Sequence, residues 1–125
     1  MSTWSVLAAD DSLLARKFVA KCLAGSEFEL LEAVGSGREA VDRFETLRPH
    51  VVLLDVVMPD MKGHEALRAI RALDGDARVV IVSSLGTDDA VSEATDGGAW
   101  AYLQKPYEAA QLLTVLRTAV ASKRN

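Results

Sequence analysis

Five short apolar runs alternate with five stretches that carry apolar residues at helical spacing, and nothing else in the chain constrains its fold as strongly. The runs lie at residues 4–9, 28–34, 51–54, 78–82 and 99–103. The spacing predicts helices near 13–24, from Ser36 or Gly37 to Leu47, from Gly63 to Leu73, near 88–96, and over a last segment with Leu112, Leu113, Leu116 and Val120 on one face. Turn chemistry separates the pieces: Gly25 stops the first helix, Arg48-Pro49 the second, Asp74-Gly75-Asp76 turns after the third, and Gly97-Gly98 breaks the fourth. Inner faces are expected at Leu14, Phe18 and Cys22 in the first helix, and at Ala66, Leu67, Ile70 and Leu73 in the third.

A strand–helix unit repeated five times implies a parallel sheet with helices on both faces. The second strand is interrupted by Glu29 and Glu32, which marks it as an edge. Together these favour a doubly wound, five-stranded α/β fold of the flavodoxin-like order 2-1-3-4-5, with five helices. The 125 residues suit one domain, 1–125, with a core of about 4–122. No linker or low-complexity segment divides them.

Composition narrows the function. Half of the residues are apolar and 26% charged, with a net charge of −4 and no basic cluster beyond Lys123-Arg124. Direct partnership with nucleic acid or an anionic membrane is therefore not expected. Cys22 is the single cysteine, which suits a reducing compartment, and its helical context reads as a buried core thiol. Residues 1–4 lack the charged start and apolar core of a signal peptide, and no apolar run approaches the length of a membrane span. A cytoplasmic protein is the expectation.

The candidate chemistry lies just after the strands. Val51-Val52-Leu53-Leu54 reads as a strand buried on both faces, and Asp55 stands at its carboxyl end, the edge at which open parallel sheets gather ligands. Asp10 and Asp11 follow the first strand, Ser83 the fourth and Lys105 the fifth. One acidic residue before a helix is explained by capping; a second adjacent acid adds nothing to a cap. Three converging carboxylates repel one another, and a divalent cation relieves that repulsion. With oxygen ligands and no His or Cys, the cation expected is Mg²⁺, or Mn²⁺. A hydroxyl and a fixed ammonium beside such an ion are what phosphoryl oxygens need during transfer onto a carboxylate.

With Asp10-Asp11-Ser12, Asp55 followed by Met58-Pro59 and Gly63, Ser83-Ser84, Tyr102 and Lys105-Pro106 in these positions, the chain resembles the receiver domains of response regulators, the CheY-like family of two-component signalling. The resemblance covers residues 4–122. It implies that Asp55 is the phosphoacceptor, served by a sensor histidine kinase or a phosphotransfer protein. It further implies Mg²⁺ on Asp11 and Asp55, with Asp10 acting through water and the Val57 carbonyl as a further ligand. Ser83 and Lys105 would contact the phosphoryl oxygens, and Ser83 with Tyr102 would form the switch. The surface of the fourth helix, fifth strand and fifth helix would then bind a target protein, and a phosphatase is a further expected partner. The domain would be a signalling acceptor rather than an enzyme. Driving such a switch from mostly off to mostly on needs roughly 5 kcal/mol, and one charge-assisted hydrogen bond supplies about 1.5–3 kcal/mol. Lys105 and repacking must contribute the rest.

Some positions depart from the commonest pattern of the family. Lys62 stands before Gly63 where an acid is frequent, and Val57 and Leu85, two residues beyond Asp55 and Ser83, are apolar. Neither orients an attacking water, so slow self-dephosphorylation is expected.

Rival readings are weaker. Gly35-Ser36-Gly37-Arg38-Glu39-Ala40 matches a dinucleotide fingerprint, with Asp55 downstream, but it follows the expected edge strand and lacks a second mononucleotide half. A haloacid-dehalogenase-type phosphatase needs an acid at Val57. A receiver-shaped module that is never phosphorylated would not need the acids, Ser83 and Lys105 together. His50 and His64 read as isolated, neither ligand nor phosphodonor. The chain ends soon after the fifth helix, so output by binding another protein is expected, as in single-domain chemotaxis or phosphorelay regulators. Residues 122–125 read equally well as the start of a linker.

Overall fold

The computed structural model describes residues 3–56, 58 and 63–122. In chain order the elements are β1 (Trp4–Ala9), α1 (Leu13–Leu23), β2 (Phe28–Val34), α2 (Gly37–Leu47), β3 (Val51–Asp55), α3 (Gly63–Leu73), β4 (Arg78–Ser83), α4 (Asp88–Asp96), β5 (Ala101–Gln104) and α5 (Ala109–Ala121). The strands form one parallel sheet in the order β2-β1-β3-β4-β5. Val51 to Leu54 are fully buried in the centre, whereas β2 at the edge is buried only at its ends, Phe28 and Val34, with Glu29 and Leu31 exposed.

Side chains of alternate strand residues enter two separate cores. On one face Val6, Leu53, Val80 and Leu103 pack with α1 and α5 through Val19, Cys22, Leu112 and Leu116. On the other, Leu7, Val52, Leu54 and Ile81 pack with α2, α3 and α4 through Phe44, Leu67, Ile70 and Ala94. Each large apolar side chain taken wholly from water stabilises the fold by about 1.5–3 kcal/mol.

The helices start where side chains satisfy their first amides. Ser12, Ser36 and Thr87 accept from Ala15, Glu39 and Ala90 respectively, and Glu108 and Gln111 form a reciprocal capping box on α5. The C-cap of α2 is Arg48, in the left-handed region at φ 46°, immediately before Pro49.

Four expectations change. The fifth strand starts at Ala101, because Ala99 N–H donates back to Ala94 O at the end of α4. Leu14 and Phe18 are 79% and 41% exposed: the first turns of α1 rim the carboxyl edge of the sheet, and only Val19, Cys22 and Leu23 are buried. Leu73, at the end of α3, is likewise exposed. Neither histidine is isolated. His50 Nδ1 accepts from Ser5 N–H at 2.9 Å, and His64 is buried with Nε2 3.2 Å from Glu93 Oε1.

Candidate functional site

Parallel register brings the strand ends side by side: Ala9 faces Leu54, Asp55 faces Val82 and Ser83 faces Gln104. Asp10, Asp55, Ser83 and Lys105 therefore share one edge. Asp10, Asp11 and Asp55 each offer a carboxylate oxygen within 4.8 Å of the others.

The three acids differ sharply in surroundings. Asp10 is only 7% exposed and engaged on every side. Its N–H donates to Val34 O at 3.0 Å and its carbonyl accepts from Arg16 Nη1 at 2.7 Å. Oδ1 accepts from Ser12 N–H at 3.0 Å, and Oδ2 from Lys105 Nζ at 2.6 Å. Asp11 is exposed and Asp55 intermediate. Lys105 Nζ lies 3.8 Å from Asp55 Oδ2, so one ammonium serves two carboxylates. The Lys105 ammonium, even with the Arg16 guanidinium on the Asp10 carbonyl, leaves the three carboxylates with an excess of negative charge that a hard, oxygen-seeking divalent cation would balance. Asp10, Asp11 and Asp55 are the residues placed to hold it.

The backbone around the cluster is tightly set. Lys105 N–H donates to Ser83 O at 2.7 Å, and the Lys105–Pro106 bond is cis. Gly63 N–H donates to Val56 O at 2.8 Å, and a Cβ on Gly63 would fall on the Asp55 carbonyl oxygen and 2.7 Å from Val56 Cα. Glycine is required there by close approach. Val57 and Lys62 lie outside the described residues.

Ser83 and Tyr102 meet at a third residue. Ser83, 1% exposed, accepts from Leu85 N–H through Oγ at 3.0 Å, while Tyr102 OH donates to Leu85 O at 2.5 Å. Leu85 is thus held at both backbone polar groups by these two side chains. Periodicity contains no signal for that role.

Two further contributors escape sequence reasoning. Arg16 reaches from α1 to the Asp10 carbonyl and passes over Gly35, where a Cβ would lie 3.2 Å from its Nη1. The first glycine of the nucleotide-like motif therefore sits under an arginine, and Ser36 caps α2. Tyr107 is buried beside the site, its ring 5.4 Å from that of Phe18. Burial, reinforced by Cys22 and Asp10, pushes its hydroxyl up to about 12. Leu14, Phe18, Pro106 and Tyr107 with Lys105 line an apolar groove at the rim of the acid cluster. Cys22 is a buried thiol whose pKa is raised by that burial, as a core residue's would be.

Comparison with known proteins accounts for this arrangement. The chain matches the response regulator receiver domain family over residues 6–117. It is 34% identical over 114 residues to the chemotaxis protein CheY of Listeria monocytogenes, covering 91% of this chain and 96% of that protein. It is 35% identical over 116 residues to the transcriptional regulatory protein PdtaR of Mycobacterium tuberculosis, covering 93% of this chain and 56% of PdtaR. Among solved structures, the CheX–CheY–BeF3–Mg²⁺ complex of Borrelia burgdorferi superposes with a TM-score of 0.91 at 28% identity, over 95% of this chain and 90% of that one. Fold, edge and sequence agree, and the chain belongs to the response regulator receiver domain family, with the CheY-like flavodoxin fold.

Proposed function

We propose that Asp55 accepts a phosphoryl group from the phosphohistidine of a sensor kinase or phosphotransfer protein. The observation that carries this reading is the single ammonium of Lys105 reaching Asp55 and Asp10 within a cluster of three carboxylates. The N–P bond of the donor breaks, an O–P bond to Asp55 forms, and the histidine, already protonated on its other ring nitrogen, leaves as a neutral imidazole. Asp11 and Asp55 would hold Mg²⁺ directly and Asp10 through water, with the Val57 carbonyl as a further ligand. When bound there, the ion would supply charge shielding between the acids and the donor's phosphoryl oxygens. Lys105 leaves Asp10 to pair with a phosphoryl oxygen, and Ser83 Oγ–H donates to another. Moving towards that oxygen, Ser83 gives up Leu85 N–H, freeing the segment that Tyr102 grips. The face of α4, β5 and α5, with exposed Val91 and Trp100 and half-buried Tyr102, then changes shape for a target protein.

The apolar groove beside Lys105 supports docking of a phosphodonor at the rim of the site. The Borrelia relative, bound to BeF3, Mg²⁺ and CheX, supports both the metal and the phosphoryl pocket. Intact mass after incubation with acetyl phosphate tests the reading. A Mg²⁺-dependent gain of one phosphoryl group, absent from Asp55→Asn, is expected. No gain in wild type, with Mg²⁺ bound, would favour a module that works without phosphorylation.

A further inference from the structure

We infer that His64 is a positioning residue for α4, tethering it through Glu93 to the strand end that carries Asp55. Three observations converge. First, α4 has little apolar anchorage: in nine residues it buries only Ala90 and Ala94. Side chains that small bring little transfer energy, so α4 belongs to the less stable part of the fold. Second, a cleft of about 430 Å³ separates α3 from α4, lined by Val56, Met58, His64, Leu85 and Glu93. Among the described residues the approach of His64 Nε2 to Glu93 Oε1 at 3.2 Å is the one close pairing of polar side chains that joins the two helices. Third, the α3 end of the tether rests on the acceptor strand. Gly63, the preceding residue, donates to Val56 O and touches the Asp55 carbonyl too closely for any side chain.

The imidazole itself shows that the contact carries weight. His64 is 8% exposed, and its Nδ1 is buried without a partner. With Nε2 turned towards the carboxylate, Nδ1 is left as a buried polar atom with no hydrogen-bond partner, which is unfavourable. A leucine would fill this position without that cost. The polar choice is explained by what Nε2 does across the cleft.

The consequence for signalling rests on the acceptor reading: the tether opposes displacement of α4 and biases the domain to its resting form. The test needs no phosphoryl donor, so failure of the acceptor reading would leave its result intact. Hydrogen exchange of the unphosphorylated protein is compared among wild type, His64→Leu, His64→Gln, Glu93→Ala and the His64→Leu/Glu93→Ala double variant. Glu93 is half exposed, so its removal leaves the fold intact, and it also excludes re-pairing with Arg68 on the cleft wall.

Exchange of the α4 amides is expected to quicken roughly tenfold in Glu93→Ala, equivalent to about 1.4 kcal/mol, and less in His64→Leu. The double variant should exchange no faster than Glu93→Ala. His64→Gln, which keeps a donor near the Nε2 position, should restore much of the protection. Strand and α5 amides should stay unchanged, and the Tm of His64→Leu should hold or rise. Wild-type exchange in Glu93→Ala, a double variant equal to the product of the singles, or equal quickening in every helix would overturn the inference.

Discussion

Lys105 gives its ammonium to Asp10 at 2.6 Å and stands 3.8 Å from Asp55. The lysine thus occupies, on Asp10, space and charge for which a cation would compete. Opposite unit charges about 4 Å apart are worth about 4 kcal/mol at an effective dielectric near 20, less where water screens them. Lys105→Ala is expected to tighten Mg²⁺ binding roughly tenfold while slowing phosphorylation by acetyl phosphate. Calorimetric titration with Mg²⁺ checks the first half; weaker binding would mean instead that the lysine arranges Asp10 for the metal.

On the proposed reading, Leu85, with Val57, sets the lifetime of the phosphorylated form. Its side chain is 47% exposed and cannot hold a water in line for attack. Phosphate release without a phosphatase should be slow, and Leu85→Gln should hasten it roughly tenfold by supplying a polar group to the water. Decay of the phosphorylated mass with time measures both. Loss within seconds in wild type would contradict this account.

Acid stability has a share from Glu27. Arg117 grips that carboxylate at 2.8 and 3.0 Å, and this hydrogen bonding holds its pKa at about 2 against an ordinary 4.5. A depressed folded-state pKa gives stability that is present above about 4.5 and lost as pH falls towards about 2. Glu27→Gln lacks this share. The difference in Tm between wild type and variant, small because the pair is exposed, should shrink across that window.

At the alkaline end Tyr107 acts in the opposite sense. Burial raises its hydroxyl from 10 to about 12, so the folded state resists forming the phenolate. Stability is intact below about 10 and falls as pH rises towards about 12. Tyr107→Phe should remove that part of the alkaline decline. Unfolding curves recorded over this range would show parallel losses in both proteins if Tyr107 titrates freely.

Gly63→Ala should cost about 2–4 kcal/mol in urea unfolding, because the added carbon meets the immovable backbone of Asp55 and Val56. At Gly86 the added carbon meets only the amide end of Gln104. That side chain turns aside, and Gly86→Ala should stay within about 0.5 kcal/mol.

Much of this architecture is legible in the residues. Val51 to Leu54 declare a strand buried on both faces, Glu29 and Glu32 an edge, and strand-end placement alone brings Asp10, Asp55, Ser83 and Lys105 to one side of the sheet. The misjudged positions share a cause. Leu14 and Phe18 keep helical spacing with Cys22, but periodicity describes a helix and not how far the sheet extends beneath it. His64 looks solitary because its partner, Glu93, lies 29 positions away on another helix. Arg16 acts through a main-chain carbonyl, a contact with no signature in residue type. Lys105's preference for Asp10 over Asp55 is likewise a matter of ångströms, below what spacing resolves.

The sheet that separates two cores also separates two kinds of change. Residues on the α1 side, such as Phe18 and Val19, pack without reference to those that seat α4, such as Leu67 and Ala94. On the proposed reading, the α1 rim offered to a phosphodonor can be redrawn one substitution at a time while α4 keeps its seat; α5, which shares the core of α1, has no such insulation. A change of sender at the α1 rim then leaves the seat of α4 in place, because the strands between them act as a partition.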